Sequence, residues 1–158
     1  MDSDLREWIL SLLRPMPHRL FCDKLPKLTS KEFERLVSDF FRNAGGVVEI
    51  GPVGANGAID IFCRFTDGDF IIQCKKWKAK VGEATVREVY GVAEKKKVKG
   101  AFIVAASEFT KGAERFVIGL STPVGLIDGE ELFKLMNQYM PGVVADIQEG
   151  IWKSQSIL

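Results

Sequence analysis

The sequence predicts an α/β domain with a mixed central β-sheet flanked by helices. Three observations lead there. A capped amphipathic helix spans 29–44, and two segments of alternating hydrophobicity meet at an Asp-Gly turn between 58 and 75. After Gly82 the hydrophobic period becomes helical and alternates with short apolar runs. The resulting order is helix, antiparallel meander, helix, strand, helix, strand, helix, which builds a mixed sheet with helices on its faces. The chain has 158 residues, enough for one core. The expected division is an N-terminal helix and linker over 1–28, a core over 29–140 and a tail over 141–158.

Each element has its own justification. Residues 2–13 carry Leu5, Trp8, Ile9, Leu12 and Leu13 at helical spacing. Pro15, Pro17 and Pro26 then predict an extended, non-helical connection. Thr29 with Glu32 three residues on forms a capping box, Leu28 can staple onto Phe33, and Gly45-Gly46 ends the helix. Glu34 lies at the flank of this helix's apolar stripe, within reach of a sheet edge. A short strand over 47–50 and a glycine-containing loop over 51–57 lead into the hairpin. With Asp67 and Gly68 at its centre, Asp60 faces Lys75. Ile59, Ile61, Cys63 and Phe65 then share one face with Phe70, Ile72 and Cys74, while Asp60, Phe62 and Arg64 share the other with Ile71, Gln73 and Lys75. A helix runs from Gly82 to about Lys97, and 101–106 is a buried strand. A helix over 110–120 and a strand over 124–127 follow. Asp128 and Glu131 cap a last helix over 130–139, closed by Pro141. No period marks 142–158.

Composition narrows the chemistry. No apolar run approaches the roughly 20 residues of a membrane span, and the acidic start lacks the basic and apolar segments of a secretory signal; a cytoplasmic protein is expected. Cys22, Cys63 and Cys74 form no CxxC pair and read as reduced core thiols. One histidine, His18, excludes multi-histidine zinc centres, so any metal site should be oxygen-rich and suit magnesium, with manganese as substitute. Net charge is +1, but 71–116 holds eleven basic residues against five acidic ones. That segment fits a surface facing a polyanion, and equally a solvated lysine-rich face.

The hairpin supplies the candidate site. In a strand, residues two apart point the same way, so Gln73 and Lys75 deliver an amide oxygen and an ammonium to one place, across from the Asp60 carboxylate. A carboxylate with an amide or backbone carbonyl holds a hard divalent ion. Such an ion polarises a phosphodiester and activates water, and the lysine offsets charge building on phosphate oxygens. The same spacing also describes an ordinary cross-strand ion pair.

The run Gly57-Ala58-Ile59-Asp60, Gln73-Cys74-Lys75-Lys76-Trp77, Val81-Gly82, Val86-Arg87-Glu88-Val89-Tyr90-Gly91, Phe109-Thr110 and Leu126-Ile127-Asp128-Gly129 resembles the catalytic domain of the Mrr-type restriction endonucleases. That family belongs to the PD-(D/E)xK nuclease superfamily and often carries QxK. The resemblance spans about 29–136. It implies the restriction-endonuclease-like fold and magnesium-dependent hydrolysis of DNA. It further implies Asp60, Gln73 and the Cys74 backbone carbonyl as metal ligands, Lys75 as catalytic lysine and Glu34 as an additional ligand or support. Lys76, Trp77, Lys78, Lys80 and Arg87 fall on the segment that would lie near DNA, although Trp77 equally suits packing over the sheet edge. Two departures stand out: the loop before the aspartate reads Gly54-Ala55-Asn56-Gly57-Ala58, without an acidic residue, and 105–107 read Ala-Ala-Ser where threonine is usual. The 28 residues before the core are too few for the family's frequent winged-helix reader. The expected activity is a DNA endonuclease in restriction or DNA processing, acting as a homodimer or with a separate recognition partner. Resolution of branched DNA and a catalytically weak DNA-binding module are the alternatives.

Overall fold

The computed structural model describes residues 3–12, 17–51 and 59–153. Its five-stranded sheet runs in the order β1-β2-β3-β4-β5. β1 (Val47–Ile50), β2 (Ile61–Phe65) and β3 (Gly68–Lys75) form the antiparallel meander. β3, β4 (Gly100–Ala105) and β5 (Val124–Ile127) are parallel. The mixed sheet of the sequence reading is therefore present, with β3 as its middle strand.

Two crossovers stepping the same way across a sheet, with the same hand, put both their helices on one face. Accordingly α4 (Glu83–Lys96) and α5 (Lys111–Phe116) lie together, burying Val86, Val89, Ala93 and Ala113 against Ile71, Ile103 and Ala105. The other face is covered by α3 (Ser30–Asn43) and α6 (Gly129–Tyr139). There Phe33, Leu36, Phe41, Leu132 and Met136 pack on Ile61, Cys63, Ile72 and Val104. The capping box that starts α3 is complete: Glu32 N–H donates to Thr29 Oγ1 at 3.1 Å and Thr29 N–H to Glu32 Oε1 at 2.9 Å. α1 (Ser3–Ser11) lies at the N-terminus.

The extended connection expected after α1 is instead a helix, α2 (Pro17–Lys24), followed by a 3-10 turn over Leu25–Lys27. Pro17 occupies the first helical position, where its missing N–H costs nothing, and Pro26 likewise sits at the start of its turn. Phe21 and Leu25, both fully buried, anchor the segment in the α3–α6 layer. The tail adds α7 (Pro141–Glu149), again with proline in its first turn, burying Val144 and Ile147 in the same layer. α5 ends at Phe116, four residues short of the expected end.

The hairpin register is shifted. Phe65 faces Gly68 and Ile61 faces Ile72, so Thr66 and Asp67 form the turn. Lys99 reaches over this turn, bonding Asp67 Oδ2 at 3.1 Å, and a Cβ on Gly68 would meet Lys99 Cδ at 2.6 Å. A shift of two residues preserves the faces, so within the strands the expected alternation stands; Asp60, however, is not placed across from Lys75.

Candidate active site

β2 parts from β3 at Asp60. The Asp60 N–H donates to the Ile72 carbonyl at 3.0 Å, one residue out of step with a ladder in which Ile61 faces Ile72. An extra residue in one strand reverses the alternation behind it. Ile59 therefore packs in the α4 layer with Ile71, and not with Ile61 and Cys63 as alternation predicted. The same slip carries the Asp60 carboxylate into the gap where the ladder would continue, and its Oδ2 accepts the Cys74 N–H at 2.7 Å.

β3 runs on past this point, held by β4: Gln73, Cys74 and Lys75 face Ile103, Val104 and Ala105. The Lys75 carbonyl accepts from Ala106 N–H at 2.8 Å. Successive carbonyls of a strand point to opposite sides, so the Cys74 carbonyl turns away from β4, toward Asp60. From above, α3 brings the Glu34 carboxyl close to that of Asp60, so that each acts on the other's proton. Burial, then the nearby Asp60 carboxyl, push Glu34 up to about 7. Burial also raises Asp60, against the opposing pull of the Cys74 amide, Glu34 and the Lys75 ammonium. Two carboxyls that resist ionising together retain a proton between them until a cation replaces it.

Gln73 is 4 % exposed, and its Oε1 accepts no hydrogen bond among the described residues. No hydrogen bond joins it to Asp60 in that set. A buried amide oxygen without a donor costs about 1–3 kcal/mol, a cost a cation would relieve. Burial pushes the Cys74 thiol well above the usual thiol range and Cys22 up to about 11, so neither presents a soft thiolate. Among the described residues no three of His, Cys, Asp and Glu are grouped to hold a metal. The donors on hand are two carboxyls, a backbone carbonyl and an amide oxygen, which fits a hard, partly hydrated cation.

Lys75 is half-buried, with Nζ 4.3 Å from the centroid of the half-exposed Trp77 ring. Lys76 is half-buried and Lys78 exposed; Lys80 is exposed and pairs with Glu108 at 3.6 Å. Arg87 lies on α4, bonded to Glu83 at 3.0 Å and stacked 4.4 Å over Phe116. Beside Trp77 opens a cleft of about 860 Å³, walled by α2, the segment after β3 and the first turn of α6. Arg19 and Lys27 on its rim escaped the sequence reading, because the helix carrying Arg19 did.

The Glu34–Asp60 pair has a measurable consequence in metal-free protein. A carboxyl whose folded value is raised stabilises the fold below its unfolded value near 4.5, and that stability is lost as pH rises through about 7. Glu34→Gln keeps a hydrogen-bond donor without the charge. In EDTA at pH 8 the variant is expected to be more stable by about 1 kcal/mol, allowing for solvent around a half-buried group. That is roughly 2–4 °C in melting temperature, and the gain should vanish near pH 4.5. Equal melting at pH 8 would show that the two carboxylates do not repel.

Against known proteins, residues 25–136 match the Mrr-type catalytic-domain family, described as restriction endonuclease. No curated protein matches the sequence. Among solved structures, the DNA modification-dependent restriction endonuclease AspBHI aligns over 87 % of this chain and 40 % of its own, at 16 % identity and TM-score 0.66. A protein of unknown function, AF1548, aligns over 73 % and 65 %, at 14 % identity and TM-score 0.54. The MspJI restriction endonuclease, solved with a 27-mer oligonucleotide, aligns over 78 % and 32 %, at 18 % identity and TM-score 0.50. The chain thus spans less than half the length of either restriction enzyme.

Proposed function

Because the chain belongs to the Mrr-type restriction endonuclease catalytic-domain family, we propose that it hydrolyses DNA phosphodiester bonds with a divalent cation, magnesium or manganese. The observation that carries this reading is the Asp60 carboxylate set against the Cys74 amide where β2 leaves β3, with the Glu34 carboxyl brought close to it by α3. Asp60, the Cys74 carbonyl and Gln73 Oε1 would hold the ion, with Glu34 as additional ligand or support. When bound, the ion supplies charge to polarise the phosphodiester and to ease loss of a proton from water.

The remaining work falls to the chain. The Cys74 amide fixes the Asp60 carboxylate in place, so no side-chain freedom is lost when the site fills. Lys75 brings the positive charge that offsets the phosphate oxygens as the bond breaks. Lys76, Trp77, Lys78 and Lys80 lie along the strand exit and would seat the backbone on either side, with sequence-independent, salt-sensitive contacts. Arg87 would join them by leaving Glu83.

One such set of residues acts on one phosphate at a time, so a double-strand break calls for two copies. Exposed apolar side chains on α1 (Leu5, Ile9), just after it (Leu12) and on the edge strand β1 (Val47, Ile50) are the surfaces a homodimer would use. Incubation of pure protein with supercoiled plasmid and with branched DNA, in magnesium, manganese or EDTA, tests the reading. Linear product in magnesium and none in EDTA is expected, with a dimer in light scattering. A monomer giving only nicked circles removes the dimer and keeps the nuclease; no product with any metal removes the nuclease.

A further inference from the structure

The cleft beside Trp77 adjoins the catalytic strand without containing Asp60, Gln73 or Lys75. At about 860 Å³ it is in the range of sites that enclose one small ligand, so it admits a nucleotide or two and excludes a duplex. Its charges are not balanced by internal pairing. Among the acids, Glu108 is answered by Lys80 and Glu130 by Lys134, while Asp128 caps α6 through the Glu131 N–H and keeps its charge. That leaves Asp23 and Asp128 against Arg19, Lys27 and Lys78, three exposed cations in no ion pair among the described residues. On the wall stands Trp77, 51 % exposed, with the Lys75 ammonium 4.3 Å from its ring centroid. Unpaired cations round an exposed aromatic ring are what a single strand needs: backbone charge is met electrostatically and bases stack, whatever their sequence.

We propose that this cleft takes one or two unpaired nucleotides of a DNA strand, with a base stacked on Trp77 and phosphates against Arg19, Lys27 and Lys78. The proposal rests on the nuclease reading and narrows it: the preferred substrate is DNA with a single-stranded segment next to the scissile phosphate. The Lys75–Trp77 contact sets the distance, since a strand leaving the lysine meets the ring at once.

Fluorescence anisotropy in EDTA, where no cleavage occurs, compares a blunt hairpin duplex with the same duplex bearing a short oligothymidylate tail at either its 5′ or 3′ end. One tail polarity is expected to tighten binding about tenfold, within the weight of a single stacked base. Trp77→Leu, and separately Arg19→Glu with Lys27→Glu, should bring that advantage within about twofold, with circular dichroism melting confirming a folded protein. No tail advantage in the unaltered protein overturns the proposal, as does an advantage that survives both sets of substitutions. Plasmid cleavage in magnesium or manganese keeps the two readings apart. Tail preference without cutting of any DNA retains the cleft and removes the nuclease, while cutting without tail preference does the reverse.

Discussion

Asp60→Asn is expected to lose at least about a thousandfold in cleavage rate, roughly 4 kcal/mol of transition-state stabilisation, while melting no lower than the unaltered protein in EDTA at pH 8. The asparagine oxygen still accepts the Cys74 N–H that Asp60 Oδ2 holds at 2.7 Å, so the departure of β2 from β3 is kept and only the charge is removed. Asp60→Ala should be equally inactive but less stable, because the Cys74 amide is then left without an acceptor, at about 1–3 kcal/mol. The difference between the two variants separates the chemical from the structural duty of this side chain. Single-turnover cleavage in magnesium together with thermal melting measures both, and an Asp60→Asn protein cutting at the unaltered rate would remove Asp60 from the site.

Gln73 should show the opposite sign in stability. Its buried Oε1 has no donor among the described residues and its strand face meets the α4 layer. Gln73→Leu replaces an unsatisfied amide by a side chain of similar size suited to that layer, so the metal-free protein should gain about 1–2 kcal/mol. The same change should abolish manganese binding in calorimetric titration. Gln73→Glu should do the reverse: a further carboxylate tightens the ion about tenfold, or 1.4 kcal/mol, and lowers metal-free stability by placing a charge at a buried position. A site whose removal stabilises the fold is one maintained for what it binds. Unchanged manganese affinity in Gln73→Leu would make the residue a structural one.

The division between what was legible in the sequence and what was not follows from which forces are local. β1 and β5, the α3 capping box and the helix–strand alternation after Gly82 were legible because burial on one face writes a period into the chain. α2 and α7 were not. Each begins with proline, which in a sequence reads as a break, yet at the first helical position removes a donor that the helix does not use. Asp-Gly and Thr-Asp turns differ by two residues in register, a difference the alternation of faces does not record. The slip at Asp60 leaves no residue signature, so the cross-strand partner of the aspartate and the face of Ile59 were beyond reach. Glu34 and the motif residues Asp60, Gln73 and Lys75 were legible as types and spacings. That α3 brings Glu34 close to Asp60, that the Gln73 oxygen lacks a donor among the described residues, and that Lys75 rests on Trp77 are facts of tertiary packing.

β3 is hydrogen-bonded to β2 on one edge and to β4 on the other, so most of its amides lose protection from solvent exchange only when the sheet itself opens. Cys74 differs, since a carboxylate and not a ladder carbonyl closes its N–H. Its exchange rate therefore follows the charge and occupancy of Asp60 and not the stability of the sheet. In an amide spectrum this one proton, set in the middle strand, becomes a gauge of Asp60 read against rigid neighbours on the same strand.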